Sequence, residues 1–157
     1  MGAMWIDDHG SEVLGLLECR RLLALGAKLA RHGHLGLSSD EAGPVVLPVN
    51  YDMHGPDVVL LVGDDLFTRL MGSNVSFQVD GVTLPHPFVG EADRRHWSVL
   101  VRGLAIEETA EALEGHLPAP EVVTPGHRVV RIRADEVSGR RFPVTAGGPS
   151  PGCCGQR

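Results

Sequence analysis

The chain reads as a small antiparallel β-barrel with peripheral helices, on three observations. Short segments of strand character recur with turn residues between them, Val75, Phe77 and Val79 alternate cleanly with Ser76, Gln78 and Asp80, and Val58-Val59-Leu60-Leu61-Val62 is an apolar run bounded by Pro56 and Gly63. An alternating strand has one wet face. A continuous apolar strand is covered on both, which implies a closed barrel or a sheet with a helix on it, and six short strands with turn signals favour the barrel. At 157 residues and 43% hydrophobic the chain has the length of one domain and material for a core.

Ser11 is placed as a helix N-cap, with Glu12 in the first turn where the helix dipole favours a carboxylate. Leu16, Cys19, Leu23, Ala27 and Ala30 then recur at helical spacing, which predicts a helix over 12–31 that stops at Gly33. His34 to Ser38 is a first strand, Ser39 to Gly43 a polar turn, and Val45 to Tyr51 the second arm of a hairpin. That arm holds the most informative stretch. Its odd positions, Val45, Leu47, Val49 and Tyr51, form an apolar side, while Val46, Pro48 and Asn50 form a side broken by a proline. Because proline cannot donate to a ladder, Pro48 marks a strand edge, end or bulge, and one reason to keep it is that the local backbone faces a ligand.

Asp52 to Pro56 is a turn, Val58 to Val62 a strand, and Gly63-Asp64-Asp65 opens a short helix that Gly72 ends. Val75 to Val79 is a strand, 81–94 a long loop, and His96 to Gly103 a strand that continues toward Glu107. A short acidic helix over 109–115, an extended proline loop and a final strand from Arg128 to Arg133 complete the order, and 143–157, rich in Gly and Pro, is expected to be disordered. The organisation is therefore an N-terminal segment (1–11), one barrel domain (12–142) and a tail.

A net charge of -6 disfavours a nucleic-acid partner held by phosphate neutralisation. No apolar run approaches the roughly 20 residues of a membrane span, and a cytoplasmic location is expected. Cys19 reads as a buried small hydrophobe, and the adjacent Cys153 and Cys154 lack a third ligand nearby. No histidine falls at a diagnostic metal spacing, and no Gly-x-Ser-x-Gly turn is present for a serine hydrolase.

Pro48-Val49-Asn50-Tyr51, the apolar strand leading through Gly63 to Thr68-Arg69, Trp97-Ser98-Val99-Leu100-Val101-Arg102-Gly103, Val130-Arg131-Ile132-Arg133 and Val137 to Phe142 together resemble the pyridoxamine 5'-phosphate oxidase-like family of flavin-binding split barrels. The resemblance spans about 12–142. It implies a six-stranded antiparallel split barrel, a homodimer with flavin mononucleotide (FMN) in clefts between the barrels, and oxidation or reduction of a small molecule. On it, Pro48, Val49, Asn50 and Tyr51 lie along the flavin ring, Val62, Gly63, Thr68 and Arg69 meet the ribityl chain and phosphate, and Trp97 and Ser98 line the flavin from the partner side. His86, His96 and Tyr51 are the candidates for proton transfer near the ring. One feature departs from the family pattern: the turn before the short helix carries Asp64 and Asp65, which disfavour a dianionic phosphate. A non-redox binding protein on the same scaffold, or a member using a deazaflavin or haem, is the alternative the departure supports.

Overall fold

The computed structural model describes residues 11–29, 32–39, 43–83, 95–109, 111–113 and 126–143. Eight strands and two α-helices run in the order β1 (Glu12–Val13), α1 (Leu16–Leu29), β2 (His32–Ser39), β3 (Gly43–His54), β4 (Asp57–Val62), α2 (Asp64–Leu70), β5 (Asn74–Thr83), β6 (Arg95–Glu108), a 3-10 turn (Glu111–Leu113), β7 (Arg128–Ile132) and β8 (Glu136–Pro143). All strand pairings are antiparallel. The order β6-β5-β2-β3-β4-β7 closes on itself through a β6–β7 pairing, so six strands make the barrel, and β8 and β1 extend the sheet from the first half of β6.

The expected barrel is thus present, with six local differences. Ser11 is buried and Glu12 begins β1, paired with Arg141, so neither caps a helix; α1 starts at Leu16. Gly33 lies inside β2, not at a helix end. β3 runs on through Asp52 and Met53 to His54, so the turn is confined to the residues that follow. Gly81 to Thr83 prolong β5 where a loop was expected, and the rest of 81–94 lies outside the described residues. The predicted acidic helix is described only as the 3-10 turn. β8 was expected as sequence but not as a strand; the tail beyond Pro143, with Cys153 and Cys154, lies outside the described residues.

The core follows from alternation. Leu35, Tyr51, Leu60, Phe77, Val99 and Ile132 point inward and are fully buried, and α1 contributes Cys19, Leu22, Leu23 and Ala27 to the same cluster. The run Val58 to Val62 is covered on both sides as expected: Val58, Leu60 and Val62 face the core, while Val59 meets Leu113 of the 3-10 turn and Val129 in a second cluster. α1 can sit this close because Gly26 faces the barrel; a Cβ there would stand 2.5 Å from the Tyr51 hydroxyl and 3.0 Å from Val79. Gly72 takes a φ of 72° where the chain leaves α2, the turn that glycine permits and L side chains resist.

Tyr51 ties the helix to the barrel. Its hydroxyl donates to the Leu23 carbonyl at 2.7 Å, and its ring meets Phe77 edge-on with centroids 4.9 Å apart. Burial, reinforced by the Asp52 carboxylate, pushes the phenol well above its ordinary range. A raised folded pKa means stability that is complete below the unfolded phenol pKa of about 10 and is lost as pH rises beyond it. Tyr51→Phe is therefore expected to lower stability by about 1 to 2 kcal/mol at neutral pH, since a buried carbonyl loses its donor. The variant should also show a shallower loss of stability than the parent above pH ~10. Denaturant midpoints of both chains across that range check the two expectations.

Candidate functional site

β3 changes partner along its length: residues 43–50 pair with β2, and Tyr51 to His54 pair with β4. The edge of 43–50 that faces away from β2 therefore has no strand beside it among the described residues. In an antiparallel ladder successive residues turn their N–H and C=O to opposite edges. Pro48 cannot serve the β2 ladder, so its nitrogen faces the free edge, and Pro44, four residues earlier, faces the same way. Two prolines thus blunt an edge that would otherwise invite another strand. The sequence inference from Pro48 is met: it marks an edge, and that edge frames a pocket of about 270 Å³ lined by His32, Pro48, Val49 and Asn50.

Three pockets open on the outward face of the sheet among the described residues: besides the one at Pro48 and the one described next, a third of about 520 Å³ lies over Ser76, Arg102 and Glu136. The second, about 300 Å³, is lined by Gln78, Ser98, Leu100 and the β8 residues Ser138, Gly139, Arg140 and Phe142. One rung of the sheet connects the second to the first: Ser138 pairs with Leu100, Leu100 with Gln78, Gln78 with His34, and His34 with Pro48. Gln78 is held by its neighbours. Its amide nitrogen donates to both carboxylate oxygens of Asp80, at 3.1 and 3.2 Å, and to the Ser98 hydroxyl oxygen at 3.2 Å.

The predicted site residues separate by face. Pro48, Asn50 and Ser98 lie on the outward face, and Val49, on the inward-turned side of β3, reaches the first pocket as a lining residue. Tyr51, Val62 and Trp97 point inward: their side chains are 1%, 3% and 4% exposed and belong to the core. Strand alternation is the reason, since each sits one position from an outward neighbour. The Tyr51 hydroxyl, committed to Leu23, is not placed for proton transfer. Trp97 packs where Gly81 leaves room for the indole, and its Nε1–H is buried without a hydrogen-bond acceptor. His96 is exposed on β6 between Val82 and Phe142, and His86 lies outside the described residues. Gln78, His34 and the β8 wall were missed; polar residues alternating with apolar ones read as a solvated strand face, and nothing local distinguishes a face that holds a ligand.

The other end of the expected site is built from β4 and α2. Gly63 is exposed and extended, and its carbonyl accepts from Phe67 N–H at 2.9 Å. The Thr68 hydroxyl donates back to the Asp64 carbonyl at 3.0 Å and so is spent within the helix. Arg128 lies over the Phe67 ring at 4.1 Å, beside Asp64 at 3.8 Å and in contact with Glu107, whose hydrogen bond raises the guanidinium pKa. That cation is already neutralised. Arg69, exposed on the last turn, has no ion pair among the described residues. The expected ring end thus has a strand edge with no strand beside it among the described residues and a mixed polar and apolar wall, and the expected phosphate end carries Arg69 on the last turn of α2 with Asp64 and Asp65 on the first.

A closed six-stranded antiparallel barrel with peripheral helices, whose sheet opens an edge among the described residues, is a split barrel. The family model described as pyridoxamine 5'-phosphate oxidase matches residues 17–141, and the chain belongs to that family. A search of curated proteins finds no match. Among solved structures it is similar to the FAD binding protein from Mycobacterium smegmatis (23% identity, TM-score 0.66, covering 85% of this chain and 99% of that one). It is also similar to an FAD-binding protein from Mesorhizobium loti (22%, TM-score 0.64, 83% and 97%) and to the FAD and heme binding protein from Mycobacterium smegmatis (18%, TM-score 0.54, 80% and 73%). At these identities the likenesses show the fold. No helix among the described residues is long and apolar enough to cross a membrane.

Proposed function

We propose that the protein is a flavin-dependent oxidoreductase acting on a small molecule, with the flavin ring laid on the outward face beside Pro48, Val49 and Asn50. The β3 edge at 43–49 carries this reading: no strand lies beside it among the described residues, and it borders a pocket on the face that also presents Gln78 and Ser98. A bound flavin supplies the hydride or electron chemistry; the chain's part is to orient the ring, exclude water from it and tune it with fixed polar groups. FMN is the cofactor the sequence resemblance implies, and the FAD named for three similar structures makes the dinucleotide the alternative. Anaerobic mixing of the flavin-loaded protein with a pyridine nucleotide or reduced deazaflavin donor should bleach the flavin band, and added acceptor should restore it. Flavin that binds and is not reduced by any such donor leaves the second reading, a binding protein, which the acidic turn at Asp64 and Asp65 favours.

The working form is a homodimer, paired across this same face in a cytoplasmic protein. Val46 is 67% exposed at one side of the face, and Val82, His96 and Phe142 form a rung at the other, with Phe142 38% exposed. Apolar groups framing a polar centre are poorly placed against water and well placed against a second copy, which meets the same patch in a two-fold pairing. Light scattering should give twice the chain mass at micromolar concentration, and Val46→Lys should shift the population toward monomer. A stable monomer of the parent chain contradicts the dimer.

A further inference from the structure

We infer that Gln78 and Ser98 together read the imide edge of the bound ring, which makes Gln78 the residue that selects an isoalloxazine or its deazaflavin analogue over haem. The inference rests on the flavin reading above and assigns a role to a residue that reading leaves without one.

An amide side chain has two N–H donors and one oxygen acceptor. Both donors of Gln78 are in use, toward the Asp80 carboxylate at 3.1 and 3.2 Å and toward Ser98 Oγ at 3.2 Å. A carboxylate can only accept, so the orientation of the amide is fixed by its neighbour, and Oε1 is the group Gln78 has left to offer. Ser98 accepts from Gln78, so its own O–H remains to donate. The pair therefore presents an acceptor beside a donor at the lip of the second pocket. The pyrimidine edge of a flavin is the complement: an N3–H donor flanked by carbonyl acceptors. A porphyrin edge has no such imide, and its propionates would meet the Asp80 carboxylate with like charge.

The spacing agrees. Gln78 and Pro48 lie on one rung with His34 between them, two strand spacings or roughly 10 Å apart, about the length of a tricyclic ring system. A ring with one side along the β3 edge thus reaches the Gln78–Ser98 pair without leaving the face.

The test compares FMN with N3-methyl FMN, binding being followed by flavin fluorescence. For the parent protein, N3-methylation should weaken binding about tenfold, since the acceptor is left facing a methyl group. Gln78→Met, of similar length and without an acceptor, should bind FMN about tenfold more weakly and bind both flavins alike. Ser98→Ala should weaken both flavins while keeping the ratio between them. The parent comparison needs no variant to fold, and equal affinity of the parent for the two flavins overturns the assignment while leaving the flavin reading intact. Gln78→Met that keeps the full discrimination overturns it as well. A parent protein that binds neither flavin removes the functional reading and this assignment with it.

Discussion

Phe77→Ala is expected to cost about 3 to 5 kcal/mol of stability, because it empties the centre of the barrel. Phe77 is fully buried on β5, packs edge-on against Tyr51, and reaches across to β2, where Gly33 has no side chain to obstruct its ring. Tyr51 in turn is bonded to the Leu23 carbonyl of α1, so one aromatic pair joins β5, β3, β2 and the helix. Rigid strands bonded on both sides cannot collapse into the void, which puts the loss toward the upper part of the range. For a domain of this length each kcal/mol moves the melting midpoint by roughly 2 to 4 °C, so a fall of about 10 °C or more is expected in calorimetry. A shift of only a degree or two would mean that Phe77 is not the keystone its position indicates. Phe77→Leu, which keeps most of the volume, should recover much of the difference.

The second large effect concerns ligand affinity. Arg69→Glu is expected to weaken FMN binding by tenfold or more and to leave riboflavin binding unchanged. The guanidinium of Arg128 is engaged by Glu107 and Asp64 and lies on Phe67, so on the proposed flavin reading Arg69 is the cation of this segment that would meet the phosphate. A charge-assisted hydrogen bond contributes about 1.5 to 3 kcal/mol, and reversing the charge adds repulsion that solvent screens at this exposed position. Riboflavin has the ring without the phosphate, so it separates a phosphate contact from a general disturbance of the fold. In the opposite direction, Asp65→Asn should tighten FMN binding a few-fold by removing a like charge. Equal weakening of FMN and riboflavin by Arg69→Glu would place the phosphate elsewhere.

The barrel was legible because its strands obey alternation strictly. Val75 to Val79 and Val58 to Val62 carry the two patterns, one-sided and two-sided burial, that a closed sheet with an outer layer requires. Pro48 was legible as an edge because a missing donor has a single geometric meaning in a ladder. What was hidden is non-local. Glu12 has the composition of a first helical turn, yet it is held in β1 by Arg141 at 3.3 Å from the far end of the chain, where Arg141 also binds Glu18 at 2.7 Å. β8 contains Gly139 between polar residues and does not read as a strand, and the glycine is required because a Cβ would stand 2.7 Å from Cys19 Sγ. The site was half legible for the same reason. Pro48, Asn50 and Ser98 lie on the outward face, while Tyr51, Val62 and Trp97 share their segments and turn inward. A motif names a stretch; the register decides which of its side chains reach a ligand. Gln78 could not be found at all without the pairing that sets it between His34 and Leu100.

Whether the outward face holds a flavin ring is tested most directly by titrating the purified protein with FMN, and separately with FAD, while recording absorbance and fluorescence. A ring taken from water onto this face should show a shifted, structured absorption band and altered flavin emission that saturate at one flavin per chain, with a dissociation constant in the micromolar range or below. Spectra that remain those of free flavin at tens of micromolar for both nucleotides would contradict that reading.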